Sequence, residues 1–195
     1  MGLPPAYHVV VGNFYTNVTL RGPEQAEVMA VVESIGYSAF VSYTDSGLTV
    51  VCEEDSDTQE DEIWQLVGKQ LSESLSCPAL AVLNFDDSVL LYALFRDGEL
   101  LDAYDSSPSF GEEVEEPAGP DGGNAEILCE CFGMPGDPVE VERILRAGDD
   151  EFTFAFERHA ALFKALDCPE IPYHEGFTYI AQDGVPADWR AAGVE

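Results

Sequence analysis

The side chains able to do chemistry are unevenly supplied in this chain: 38 carboxylates, 5 cysteines and 3 histidines stand against only 8 lysines and arginines. Histidine is the side chain that most readily trades a proton near neutrality. His8 opens a strand-like run, and His174 lies in a proline-flanked loop. His159 sits in a phenylalanine-rich helical stretch beside Glu157 and Arg158. On that stripe it reads first as a core side chain and only then as a general base. No serine stands in a Gly-x-Ser-x-Gly elbow, and Cys168 with His174 forms no recognised nucleophile–base spacing. An enzyme built from these residues would be hydrolase-like, with a carboxylate-lined cleft between sheet and helices. Asp102, Asp105, Glu157 and His159 are its first candidates.

Metal and cofactor chemistry finds little purchase. Asp86-Asp87, Asp102 with Asp105, and Asp149-Asp150-Glu151 supply oxygen ligands, but none has the alternating acids and central glycine of a calcium loop. Cys129-Glu130-Cys131 is too tight for a zinc pair, and on a helix the two thiols diverge by about 200°. The odd number and irregular spacing of Cys52, Cys77, Cys129, Cys131 and Cys168 argue for reduced thiols rather than a disulfide framework. No glycine-rich phosphate loop with lysine and no Gly-x-Gly-x-x-Gly fingerprint is present, so neither cofactor nor metal is expected.

A formal net charge of -30 repels nucleic acid and anionic membranes and attracts cations and basic proteins. The charge concentrates in two runs. Glu53, Glu54, Asp55, Asp57, Glu60 and Asp61 belong to the first; Glu112, Glu113, Glu115 and Glu116 belong to the second. Together they are the expected surface for a basic protein partner. Salt adaptation is a competing explanation, since lysine is nearly absent and carboxylates abound. The start, Met1-Gly2-Leu3-Pro4-Pro5, has neither a basic nor an apolar leader segment. No apolar run approaches the ~20 residues of a membrane span. A cytoplasmic location is expected.

The positioning elements follow from periodicity. Tyr7 to Leu20 reads as a strand kinked at Gly12. Gly22-Pro23 opens a helix carrying Ala26, Met29, Val32 and Ile35 on one face, closed by Gly36. Two short strands around Thr44-Asp45-Ser46-Gly47 form a hairpin, and a second helix carries Ile63, Val67, Leu71 and Leu75, capped by Ser56 or Thr58. Ala79 to Phe85, Ser88 to Phe95 and Leu100 to Tyr104 then form a meander, its last turn made by Asp97-Gly98. The order β-α-β-β-α-β predicts an α+β fold: an antiparallel sheet with a ferredoxin-like core, extended by the meander. Residues 1–106 are the sheet domain and 107–123 an acidic Pro/Gly-rich loop or linker. Residues 124–195 form a helical portion packed on the sheet. There Asn124 and Asp137 cap two helices. Asp149 or Asp150 caps a third, with Phe152, Phe156, His159, Phe163 and Leu166 on one face. Phe177 to Ile180 closes the chain as a strand.

The reading that leads is a non-enzymatic acidic binding or regulatory protein, an inhibitor or immunity-type protein for a basic partner. The alternatives are the hydrolase-like enzyme and a halophilic domain whose acidity is only salt adaptation.

Overall fold

Near-continuous apolar runs such as Ala79 to Phe85 suit strands buried on both faces, and that is where they lie. The computed structural model describes residues 12–60, 62–115, 118–133, 136–148 and 151–194. It is α+β, with one antiparallel sheet of eight strands between two layers of helices. In chain order the first elements are β1 (Tyr15–Arg21), α1 (Gln25–Ile35), β2 (Ala39–Val41), β3 (Leu48–Glu53) and, after a 3-10 turn at Ser56–Thr58, α2 (Ile63–Leu75). β4 (Pro78–Phe85), β5 (Val89–Arg96) and β6 (Glu99–Asp105) follow, then the short β7 (Asp121–Gly122). The chain ends in α3 (Ala125–Phe132), α4 (Pro138–Arg146), α5 (Ala155–Ala165), α6 (Phe177–Asp183) and β8 (Arg190–Ala192). The strands run β7-β6-β5-β4-β1-β3-β2-β8. No helix among the described residues is long and apolar enough to cross a membrane.

Strand alternation sorts the core into two halves. Val18, Leu20, Ala79, Ala81, Ala93 and Phe95 face α1 and α2. Tyr15, Val50, Leu80, Val82, Leu90, Tyr92 and Leu94 share the other core with α3 to α6. From α2, Trp64, Val67 and Leu71 are buried, each worth about 1.5–3 kcal/mol against exposure. The helix lies close because Gly68 stands over the sheet: a Cβ there would sit 2.7 Å from the Ala81 Cβ.

Several expectations need correction. Phe177 to Ile180 is helical. Gly176 caps α6 where a Cβ would strike Asp57 and Tyr15, and Phe177 and Ile180 bury one helical face, with Phe177 stacked on Phe40 at 4.8 Å. α1 starts at Gln25 with Glu24 as its cap, so Pro23 lies before the helix; Ala26 is exposed while Val28, Met29 and Val32 are buried. Ser56 and Thr58 form the 3-10 turn rather than capping α2. Phe156 faces outward from α5, where Ala155, Arg158, His159, Leu162 and Phe163 are buried. The acidic loop after β6 contributes β7 to the sheet edge. Tyr7 to Val11, His8 and the caps Asp149 and Asp150 lie outside the described residues.

Candidate partner-binding surface

Each of the four residues of the enzyme alternative is held by its own local structure. Asp102 on β6 accepts hydrogen bonds from the Tyr92 hydroxyl at 2.6 Å and the Asn124 amide at 2.7 Å, tying the sheet to the start of α3. Asp105 accepts from the Ser107 amide at 2.8 Å. Glu157 accepts from the Phe154 amide at 3.1 Å, closing the first turn of α5. His159 is 1% exposed, with Nδ1 2.9 Å from the Tyr15 hydroxyl. Its Nε2 has no partner and it lines an apolar void of about 10 Å³, room for one water at most. Burial pushes its pKa down to about 3, with His174 acting in the same direction. Burial likewise raises Tyr15. The imidazole is boxed by the rings of Tyr15, Phe163 and Tyr173.

The thiols are equally inward. Cys131 is buried and accepts from Arg96 Nη2 at 3.1 Å, while Cys129 is half-buried near Gly136. Burial raises all five thiols. Among the described residues no three His, Cys, Asp or Glu side chains are grouped to hold a metal.

The first acidic run divides in two. Glu53 is 1% exposed and is no part of an outer surface: its carboxylate turns back to accept from the Ser56 amide at 2.8 Å and the Asp55 amide at 3.2 Å. Burial holds it above the usual carboxylate range, against those two amides. Asp57 is half-buried and clamps two elements, accepting from the Thr16 amide on β1 at 3.1 Å and the Thr178 amide on α6 at 2.8 Å. Glu54, Asp55 and Glu60 are exposed, as are Glu112, Glu113 and Glu115 of the second run. Asp61 and Glu116 lie outside the described residues.

Between the two runs lies a feature that periodicity did not reveal. Phe14, Phe85, Phe110, Phe154 and Phe156 are 37 to 49% exposed. Phe85 ends β4 and meets Phe14 edge-on at 5.2 Å and Phe110 at 5.9 Å; Phe154 and Phe156 stack at 5.8 Å. The β4–β5 turn holds these parts together. Asp86 and Asp87 both take the left-handed conformation, and the Asp87 carboxylate accepts from the Asn13 amide, Asn13 Nδ2 and Asn84 Nδ2, each at 2.9 Å. Its carbonyl accepts from Ala155 at the head of α5 at 2.7 Å. Gln59 bonds the carbonyls of Tyr15 and Asn84, which brings Glu60 to the same end. Phe110 brings the second acidic run from the other side. At roughly 80 Å² of open ring surface each, the five residues expose about 400 Å², the size of a functional patch on a monomer. Among the described residues no cation stands over any of these rings; Arg158 over the half-buried Phe152 is the one such contact.

A hollow of about 440 Å³ adjoins Phe156, lined also by Asn13, His174, Glu175, Tyr179 and Asp183. It adds acids to the rim. Comparison with known proteins finds no matching family model, no similar curated protein and no matching solved structure.

Proposed function

We propose that the chain is a non-enzymatic binding protein, of the inhibitor or immunity kind, for a basic partner whose apolar side chains seat on the phenylalanine end while its lysines and arginines meet the acidic rim. The observation that carries this reading is the juxtaposition of five exposed phenylalanine rings, free of cations among the described residues, with the exposed carboxylates Glu60, Asp86, Glu112 and Glu113. Such rings attract cations through their faces as well as apolar groups. The same rim argues against nucleic acid and anionic membranes. The strand order β4-β1-β3-β2 supports a ferredoxin-like core for the first half, and five unpaired thiols support a reducing, cytoplasmic setting.

The test uses three short peptides that alternate lysine with phenylalanine, lysine with serine, and glutamate with phenylalanine. The Lys/Phe peptide should bind most tightly, and its affinity should fall steeply between 50 mM and 500 mM salt. Phe85→Ser removes about 80 Å² of contact, or about 2 kcal/mol, and should weaken that peptide about 30-fold. Equal binding of the Lys/Phe and Lys/Ser peptides, with no effect of Phe85→Ser in a folded variant, would sink the proposal.

Salt adaptation accounts for carboxylates elsewhere. Glu24, Glu27, Glu33, Glu62 and Glu73 are exposed along α1 and α2, on the opposite side of the sheet from α5. If that reading covers the whole chain, thermal stability should rise with molar KCl while none of the peptides binds.

A further inference from the structure

A second cavity, of about 270 Å³, lies beside Phe110 and is lined by Ser88, Ser106, Ser107, Thr153 and Arg158. Arg158, on α5, is 2% exposed. Its Nη1 donates to the Tyr104 hydroxyl at 3.1 Å and to the carbonyls of Ile144 and Ala147, both at 2.8 Å, which closes the C-terminal end of α4. Nε and Nη2 donate to nothing among the described residues, and Arg158 is one of the residues that line the cavity.

The charge is what needs explaining. Arg96, Arg143 and Arg146 each sit on a glutamate. Among the described residues no carboxylate pairs with Arg158, although the chain has 38 acids. Asp87 lines the same cavity, but its carboxylate is spent on Asn13 and Asn84. A buried guanidinium whose acceptors among the described residues are all neutral is electrostatically incomplete there. Closing the α4 carbonyls needs Nη1 alone, so it leaves the Nε–Nη2 fork without a role.

The geometry points to a binding site for a small tetrahedral oxyanion, a phosphate or phosphomonoester. The fork fits two of its oxygens side by side. Ser107 and Thr153, whose hydroxyls bond nothing else among the described residues, line the same cavity and can donate to the others. A carboxylate brings one negative charge and two oxygens, whereas a phosphate brings up to two charges and further oxygens for those hydroxyls, so the site favours the phosphate. The head of α5 adds positive potential on the same side. Phe110 and Phe152 wall the cavity and suit an organic ester.

The probes are inorganic phosphate, phenyl phosphate and acetate, titrated calorimetrically at fixed ionic strength near 0.15 M, where distant carboxylates are largely screened. Phosphate should bind, and acetate at least tenfold more weakly. Phenyl phosphate binding tighter than inorganic phosphate identifies an ester as the preferred source; the reverse order identifies the free ion. Arg158→Lys removes the fork but also loosens α4, so the deciding variant is Ser107→Asp. Ser107 is a loop residue whose side chain holds no element. It sets a carboxylate against the guanidinium and should abolish phosphate binding while leaving the melting temperature equal or higher. Absence of phosphate binding in the wild type, equal binding of acetate, or wild-type affinity in Ser107→Asp would each overturn the assignment.

Discussion

Replacing His159 by glutamine should remove an acid sensitivity that one buried imidazole confers on the fold. Unfolded, a histidine takes its proton near pH 6.5; in the folded chain the pKa is about 3, because burial disfavours the cation. Between those values the unfolded chain binds one proton that the folded chain refuses. Stability therefore rises with pH at about 1.4 kcal/mol per unit over that window. The contribution is fully present above pH 6.5 and is lost progressively as the pH falls toward 3. From pH 7.5 to 5.0 the loss is about 2 kcal/mol, a large part of the ~5–15 kcal/mol that holds a domain together. Other groups titrate in the same range and in the opposite sense. Glu53, raised by burial, takes up a proton more readily folded than unfolded and so favours the fold as acid is added. The difference between wild type and His159→Gln cancels these shared contributions. Glutamine also keeps a polar partner within reach of the Tyr15 hydroxyl. Urea unfolding of both proteins at pH 7.5, 6.5, 5.5 and 5.0, at constant ionic strength, gives that difference directly. It should be nearly flat above pH 7 and shrink by about 2 kcal/mol from pH 7.5 to 5.0. Parallel curves would mean that folded His159 ionises normally, and the reasoning from its sealed apolar surroundings would be wrong.

Gly68→Ala should destabilise although alanine favours a helix by about 1 kcal/mol over glycine. The new Cβ meets the Ala81 Cβ at 2.7 Å, and overpacking of this kind costs about 1–3 kcal/mol; a raised melting temperature would refute it. Asp57→Ala leaves the Thr16 and Thr178 amides without their acceptor, a loss of about 1–3 kcal/mol in urea. Hydrogen exchange at Thr178 should quicken well beyond that at Ile180, whose amide bonds within its own helix turn. The native thiols should resist alkylation at pH 8: with Cys77 near 11 instead of 9.0, its thiolate fraction falls roughly 100-fold. Labelling of Cys77 at the rate of a free thiol would contradict the buried placement.

What the sequence made legible was local. Asn124 and Asp137 cap their helices at the residues expected, each side-chain oxygen accepting two amides of the following turn. Such a cap is written within four residues of chain. The Asp97-Gly98 turn and the α2 stripe are similarly short-range, and they fix the element order that makes the sheet antiparallel. The strand reading of Phe177 to Ile180 failed because a short apolar run carries no period of its own. What accompanies the helix there is long-range: the Asp57 carboxylate accepts the Thr178 amide in its first turn, and Gly176 passes close against Tyr15 of β1.

The candidate site was legible only in its charge, and there incompletely. A run of carboxylates states how many acids are present, not which remain available. Glu53 and Asp57 sit in the same run as Glu54, Asp55 and Glu60, yet the fold consumes the first two. The phenylalanines were harder still. Phe14 and Phe85 meet because β1 lies beside β4, a neighbourhood created by the crossovers through α1 and α2, while Phe110 arrives from the loop after β6. Phe85 ends an apolar run and Phe156 falls on an aromatic stripe, so they look like core when read alone, while Phe110 stands in a Pro/Gly-rich acidic loop. That difference matters for function: carboxylates alone would hold any cation loosely and reversibly with salt. In the proposed binding role, an apolar platform between two acidic rims would add a salt-independent term and a shape, through which a charged surface can select one basic partner over the rest.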